Sequence, residues 1–453
     1  MVCSMDGGED EEQWHNFDPR ALMYAMAPVD HVMAPFLLTE RTTSRLSSSS
    51  SAVSLQEDDE HESTWEDDAV ERQDSFALLV SGAWKDEYNP SRAYLCHLVK
   101  SYCQRIGDDQ IQSEALMELM LEVLSSSSQT DIPSEREACY QSFWIPPLTQ
   151  ISEASSLSQK QPMRLRVYPK HNDVALRLWE GGAALAEFWL AETTTTRQGQ
   201  DQHSGAFSSW LPSNPLTIVE LGAGIGATAL ALLSADKSSS CCSIRHIYAT
   251  DYKRACMENL YHNLAINHAR IRQQQEQHTP SSSSAKDNDA TVSIISAIEL
   301  DWTWFDQSTT DDCDQVQDEQ QSTNSGTIKQ AQTMLAESNV LLAADVAYDP
   351  SVLPSLAKTI HYFLSTPSTT STSTATMSSS KQKMALLATT RRNLNTFQKL
   401  HSELEECGVQ IHSLGRRHTK DPPLILFPAK FHQPRSDVWY TVLTLPLSES
   451  TEP

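Results

Sequence analysis

The cysteines of this chain show no metal or redox pattern. Nine are scattered along it, with no CxxC pair and no Cys/His cluster at zinc spacing, so no metal site is predicted. An odd count in a long chain of this kind reads as free thiols. Long apolar runs are missing as well. None approaches the roughly 18 residues that a membrane helix needs. The first fifteen residues are acidic where a secretory signal would be basic and then apolar, and no Arg-rich, acid-poor transit segment is present. The expected compartment is therefore the cytoplasm. Positive charge is scarce: 34 Lys and Arg stand against 59 Asp and Glu, a formal charge of −25. That argues against a partner recognised through nucleic-acid phosphates, which calls for a basic face. Much of the acid sits at 9–12, 57–60, 66–68 and 311–319, where solvated, disordered acid explains it without function.

What is present is an ordered alternation of patterns. Residues 1–73 read as an acidic, serine-rich tail, disordered apart from an apolar patch at 21–35 that Pro28 and Pro35 interrupt. From 74 to 150 the pattern is helical, with Tyr94, Leu95, Leu98, Val99 and Tyr102 at three- and four-residue spacing. Leu116, Leu119, Met120 and Val123 repeat that spacing in a second helix. Residues 160–447 read as an α/β domain. Strands are predicted at 217–221, 246–250, 292–299, 340–344, 383–389, 410–414 and 438–445, with helices at 227–233, 254–267, 354–364 and 393–407. Such alternation builds a parallel sheet covered by helices. No helix is evident between the last two strands, so the sheet is expected to end in an antiparallel pair. Polar Ser/Thr/Gln insertions at 193–209, 273–289, 306–332 and 365–381 read as loops.

Four motifs carry chemistry. VELGAGIG at 219–226 places Glu220 two residues before Gly222, with Gly224 and Gly226 following. A glycine turn between strand and helix lets backbone approach a ligand at the switch point of an α/β sheet. The GxGxG spacing and the acid inside the strand favour S-adenosyl-L-methionine over a dinucleotide, whose fingerprint is GxGxxG. A glycine turn without ligand stays open. In IYATDY, Asp251 ends the second strand, where it can accept from ribose hydroxyls or cap the next helix. In ELDW, Asp301 and Trp302 could bracket an adenine ring, or the Trp could simply pack. In VLLAADVAYDP, Asp345 follows the fourth strand and Tyr348 stands three residues on. An acid and a phenol there could align an attacking amine and relay its proton, or could be a helix cap and a packed ring.

In this order the four motifs resemble the seven-strand protein-lysine methyltransferases known as methyltransferase family 16. The resemblance implies a class I, Rossmann-like sheet with a small helical N-terminal region. It also implies a tryptophan ahead of the glycine loop, supplied by Trp179 in LRLWEGGAALAEFWL. The glycine-rich lead usual before that Trp is absent, and Glu180 stands where Asp is usual. By resemblance Trp179, Gly222, Ala223, Gly224, Asp251, Trp302 and Ala344 contact the cofactor, while Asp345 and Tyr348 face a substrate lysine.

Within the family the likeness is nearest to members acting on elongation factor 2. PSRAYLCHLVKSYCQ at 90–104, the segment at 387–408 and VWYTVLTL at 438–445 carry it. The expected partner is thus a protein, elongation factor 2, met by a monomer. A different protein substrate, or a catalytically idle fold serving as a binding module, are the alternatives. Nucleic-acid methylation is disfavoured because an Asn/Asp-Pro-Pro-aromatic motif is missing at the fourth strand.

Overall fold

The computed structural model describes residues 18–27, 29–37, 62–128, 138–145, 161–168, 173–193, 207, 209–212, 215–234, 242–277, 293–306, 319–367, 382–415, 425–428 and 437–446. It divides into two compact units. One comprises Met1–Arg164, Tyr168–Lys170 and Phe427–Lys430; the other comprises Leu165–Val167, His171–Leu426 and Phe431–Pro453.

The first unit is mainly helical, with α1 (Pro19–Tyr24), α2 (Val29–Met33), α3 (Glu62–Lys85), α4 (Arg92–Ile106) and α5 (Glu114–Ser128), followed by the strand β1 (Cys139–Phe143). The two amphipathic helices expected from spacing are α4 and α5. Ser91 caps α4 by accepting from the Tyr94 amide at 3.1 Å. Its apolar face carries Leu95, Leu98, Val99 and Tyr102, all buried. Phe76 of α3 stacks on Tyr102 with ring centroids 3.9 Å apart.

The apolar patch at 21–35 is helical, and the disordered tail expected over 1–73 needs correction at its far end. Pro19–Tyr24, Val29–Met33 and Ala34–Phe36 form short helices in which Leu22, Met23, Val32 and Met33 are buried, and α3 begins at Glu62. The Tyr94 hydroxyl donates to the Ala27 carbonyl at 2.8 Å. The remainder of that tail, and most of the polar insertions, lie outside the described residues.

The second unit holds the sheet. Its elements are the end of β2 (Met163–Val167), α6 (Glu180–Thr193), β3 (Leu216–Leu221), α7 (Ala227–Ser234), β4 (Ile244–Asp251), α8 (Arg254–Gln277), β5 (Ile294–Glu299), α9 (Glu319–Glu337), β6 (Val340–Ala344), α10 (Leu353–Ser365), β7 (Met384–Thr390), α11 (Leu394–Glu406), β8 (Gln410–Gly415) and β9 (Val438–Thr444). Seven strands run in the order β5-β4-β3-β6-β7-β9-β8. The first five are mutually parallel, and β9 lies antiparallel between β7 and β8. The fold is therefore the class I methyltransferase sheet that the alternation predicted.

Central strands are continuous apolar runs because both their faces are covered. All six residues of β3 and all seven of β7 are buried. One layer of the core gathers Val219, Leu221, Leu341, Ala343, Leu356, Ile360, Phe363 and Leu387. The strand order reverses direction at β3, whose neighbours are β4 and β6, so the loops after β3 and β6 part and leave a crevice at their carboxyl ends. That crevice is the site.

One helix was not anticipated. The polar stretch expected as a loop over 306–332 contains the start of α9, which runs to Glu337 and buries Ala331, Met334 and Leu335. Likewise α8 continues to Gln277, ten residues past its expected end at 267 and into the polar stretch beginning at 273.

Candidate active site

A cavity with about 960 Å³ of empty space opens at the carboxyl ends of β3, β4 and β6. Of the twelve residues singled out from sequence, Trp179, Glu220, Gly222, Ala223, Gly224, Asp251, Trp302, Ala344, Asp345 and Tyr348 line it; Gly226 and Asp301 do not.

The glycine loop forms the floor. Gly224 sits at φ +53, and a Cβ there would come within 2.9 Å of the Ala175 carbonyl oxygen. The loop is pinned by Ala223 N–H donating to Thr250 O at 2.8 Å and Gly224 N–H donating to the Asp251 carboxylate at 3.0 Å. Asp251 also accepts from the Tyr252 amide at 2.8 Å. Burial raises the Asp251 pKa against these two amides. Its carboxylate retains accepting capacity toward the cavity, as hydroxyl recognition requires.

Glu220 lies deeper. Its side chain is buried, and Oε2 has no hydrogen-bond partner. Burial, with a smaller push from Asp251, moves its pKa up to about 7 although the Thr228 hydroxyl and Ala229 amide pull it down. A buried carboxylate oxygen without a donor costs free energy, and an ammonium group entering the cavity would satisfy it.

The two predicted residues outside the lining have other duties. Gly226, at φ +78, packs on α8: a Cβ would meet Leu260 Cδ1 at 2.7 Å. Asp301 caps the 3₁₀ turn Trp302–Phe305, accepting from the Thr303 amide at 2.9 Å and its hydroxyl at 2.8 Å. Trp302 alone of that pair reaches the cavity.

Asp345 is arranged differently from a proton acceptor in waiting. Its side chain is 5% exposed. It accepts from Gly181 N–H at 2.9 Å, Thr390 N–H at 2.8 Å, Thr390 Oγ1–H at 3.0 Å and Arg392 Nη2–H at 3.1 Å. Its backbone holds φ +51, a left-handed conformation that Asp tolerates better than most residues. Tyr348, by contrast, is 49% exposed. Burial of its other half and the nearby Tyr252 raise its pKa, so its phenol keeps its proton at neutral pH.

Sequence reasoning missed several wall residues. Arg392 follows β7 and joins Asp345 to the buried Glu180, with its guanidinium 4.7 Å over the Trp179 ring. Arg177 stacks on the same ring at 4.8 Å. Lys253 and Asp173 pair across the rim at 3.6 Å. Arg392 stood in a segment that carried only a likeness. Its place at the carboxyl end of a parallel strand was the signal available.

These donors fit S-adenosylmethionine. A backbone cradle, an aromatic wall at Trp179 and Trp302, a carboxylate for ribose hydroxyls at Asp251 and an unpartnered one at Glu220 match its parts. Among the described residues no group of His, Cys, Asp and Glu could hold a metal ion, and no helix is long and apolar enough to cross a membrane.

Sheet order, glycine loop and cavity define the class: an S-adenosylmethionine-dependent methyltransferase. Residues 158–281, which span Trp179, the loop and Asp251, match the family model described as lysine methyltransferase. The chain is also similar to an uncharacterized protein of Dictyostelium discoideum, 20% identical over 346 residues covering 74% of this chain and 77% of that one. Similar solved structures include the precorrin-6y C5,15-methyltransferase of Geobacter metallireducens, with 12% identity, 56% and 95% coverage and a TM-score of 0.26. Another is TYW2 of M. jannaschii in complex with AdoMet, with 11% identity, 62% and 80% coverage and a TM-score of 0.25.

Proposed function

We propose that this protein is a protein-lysine N-methyltransferase and that its substrate is elongation factor 2. The observation that carries the lysine assignment is the family-model match, which covers the cavity's first wall and floor. The substrate assignment rests on the likeness of the segments at 90–104, 387–408 and 438–445 to family members acting on that factor. The excess acid of the chain suits a basic protein partner and not a nucleic acid.

When bound, the cofactor supplies an electrophilic methyl group on a sulfonium sulfur. The chain's residues bind and orient. Gly222–Gly226 would bring backbone to the ligand, Glu220 would meet its ammonium and Asp251 its ribose hydroxyls. Trp179 and Trp302 exclude water from the cavity. The substrate lysine would have to reach that methyl group as a free amine, held in place by this chain's own residues. Deprotonating a lysine of pKa ~10.4 costs about 4 kcal/mol near pH 7.4. Asp345 is buried and ion-paired to Arg392, with three donors on Oδ2 and one on Oδ1, and Tyr348 remains a protonated phenol, so the proton passes to water. Tyr348 then aligns the amine through its oxygen.

The test is transfer of label from tritiated S-adenosylmethionine to purified elongation factor 2, followed by peptide mass spectrometry. A methylated lysine whose formation slows by roughly 10- to 100-fold with Tyr348→Phe supports the proposal. Label on RNA, or on a different protein only, overturns the substrate assignment.

A further inference from the structure

We propose that Arg392 is a positioning residue that sets the indole wall of the cofactor cavity and, through Asp345, the loop carrying Tyr348. The kinetic and binding parts of this rest on the methyltransferase reading above; the spectroscopic and melting parts do not.

The residue is placed for the task. Arg392 leaves β7 through a tight turn in which its amide donates to the Thr390 carbonyl at 2.8 Å. Its side chain is 32% exposed and lines the cavity. Nη2 donates to Glu180, 1% exposed, and to Asp345, 5% exposed. These carboxylates belong to different parts of the fold. Glu180 opens α6 directly after Trp179; Asp345 follows β6, three residues before Tyr348. Two buried carboxylates at one point repel, and a cation between them turns that repulsion into attachment.

Trp179 is fixed along its edge and across its face. Its Nε1–H donates to the Val174 carbonyl at 2.5 Å, which holds one edge. The Arg392 guanidinium, 4.7 Å from the ring centre, holds the face together with that of Arg177 at 4.8 Å. A planar guanidinium can bridge two carboxylates and stack at once, whereas an ammonium cannot. Arg392 thereby couples two walls: displacement of its side chain loosens the indole on one side and the Asp345–Tyr348 loop on the other, although Gly181 and Thr390 still hold Asp345.

Arg392→Lys keeps the charge and removes the stack. The assay uses the full chain, with calorimetric binding of S-adenosylhomocysteine, thermal melting and near-ultraviolet circular dichroism. The Trp179 band is identified as the difference between wild type and Trp179→Phe. The expected result is a melting temperature within a few degrees of wild type, a Kd raised about tenfold or more and a diminished Trp179 band. In turnover, kcat falls while the KM for the protein substrate stays within about twofold. Wild-type affinity with an unchanged band overturns the proposal, as does an affinity loss that only tracks loss of folded protein. Should Arg392→Lys not fold, Glu180→Gln releases one half of the bridge and is expected to weaken binding in the same direction; an unchanged Kd there also overturns it. Absence of lysine methylation with these binding shifts intact counts against the substrate assignment alone.

Discussion

The Gly181 amide reaches the Asp345 carboxylate at 2.9 Å across a space with no room for another carbon. A Cβ on residue 181 would lie 2.6 Å from Asp345 Cγ and 2.8 Å from each carboxylate oxygen. Gly181 stands in the first turn of α6, where backbone amides and the helix dipole favour an anion. The carboxylate thus sits on the start of one helix while it closes the carboxyl end of β6.

Gly181→Ala is therefore expected to drive Asp345 off its four donors. The clash costs about 1–3 kcal/mol if relieved by movement, and the displaced loop belongs to the cavity wall. The expected outcome is a lowered melting temperature together with S-adenosylhomocysteine binding weakened by an order of magnitude or more, read by calorimetry on the folded fraction. Wild-type affinity would show that Asp345 does not shape the cavity.

Glu220 is expected to make cofactor binding proton-linked. Its folded pKa, about 7, lies above the unfolded value, so the folded protein holds the extra proton. Stability is then highest at acid pH and falls as pH rises from about 4.5 through 7, by roughly 3 kcal/mol in total. A bound ammonium draws the carboxyl back toward ionisation, so binding near pH 6.5 releases a proton. Calorimetry in two buffers of different ionisation enthalpy measures that release directly. Glu220→Gln should abolish the release and flatten the stability slope. Identical proton counts in both proteins would refute the linkage.

The strands were legible because burial on two faces forces continuous apolar runs, and the glycine loop because left-handed backbone needs glycine. Helix α9 was hidden by its polar first half, from Glu319 to Gly326; only Ala331, Met334 and Leu335 mark a buried face. Asp345 shows the deeper limit. Its donors come from 164, 45 and 47 residues away along the chain, and no local pattern announces a carboxylate already occupied. An acid beyond a strand reads as reactive until its partners are known. Asp301 illustrates the same point from the other side: the next residues alone, through the Thr303 amide and hydroxyl, take it up.

Two substitutions separate packing from binding within the predicted set. Gly226→Ala meets Leu260 at 2.7 Å in a left-handed backbone, and should cost about 1–3 kcal/mol of stability. Asp301→Ala removes a cap worth about 1 kcal/mol. Neither residue lines the cavity, so urea unfolding should register both while the Kd for S-adenosylhomocysteine of the folded protein stays within about twofold. A large Kd change with unaltered stability would return either residue to the cofactor.

Tyr348→Phe tests how the amine loses its proton. If the phenol aligns without accepting the proton, kcat falls by roughly 10- to 100-fold while S-adenosylhomocysteine binds as before. The pH profile is the sharper measurement. With the proton leaving to water, log kcat/KM rises with unit slope from about pH 7 to 9, following the free amine of a lysine with pKa ~10.4. That slope belongs to the substrate, so it should survive both in Tyr348→Phe and in Asp345→Asn, however low the absolute rates. A slope that changes in either variant would show that the substituted group takes part in the proton transfer. The raised pKa of Tyr348 and the four donors on Asp345 both argue for the unbroken line.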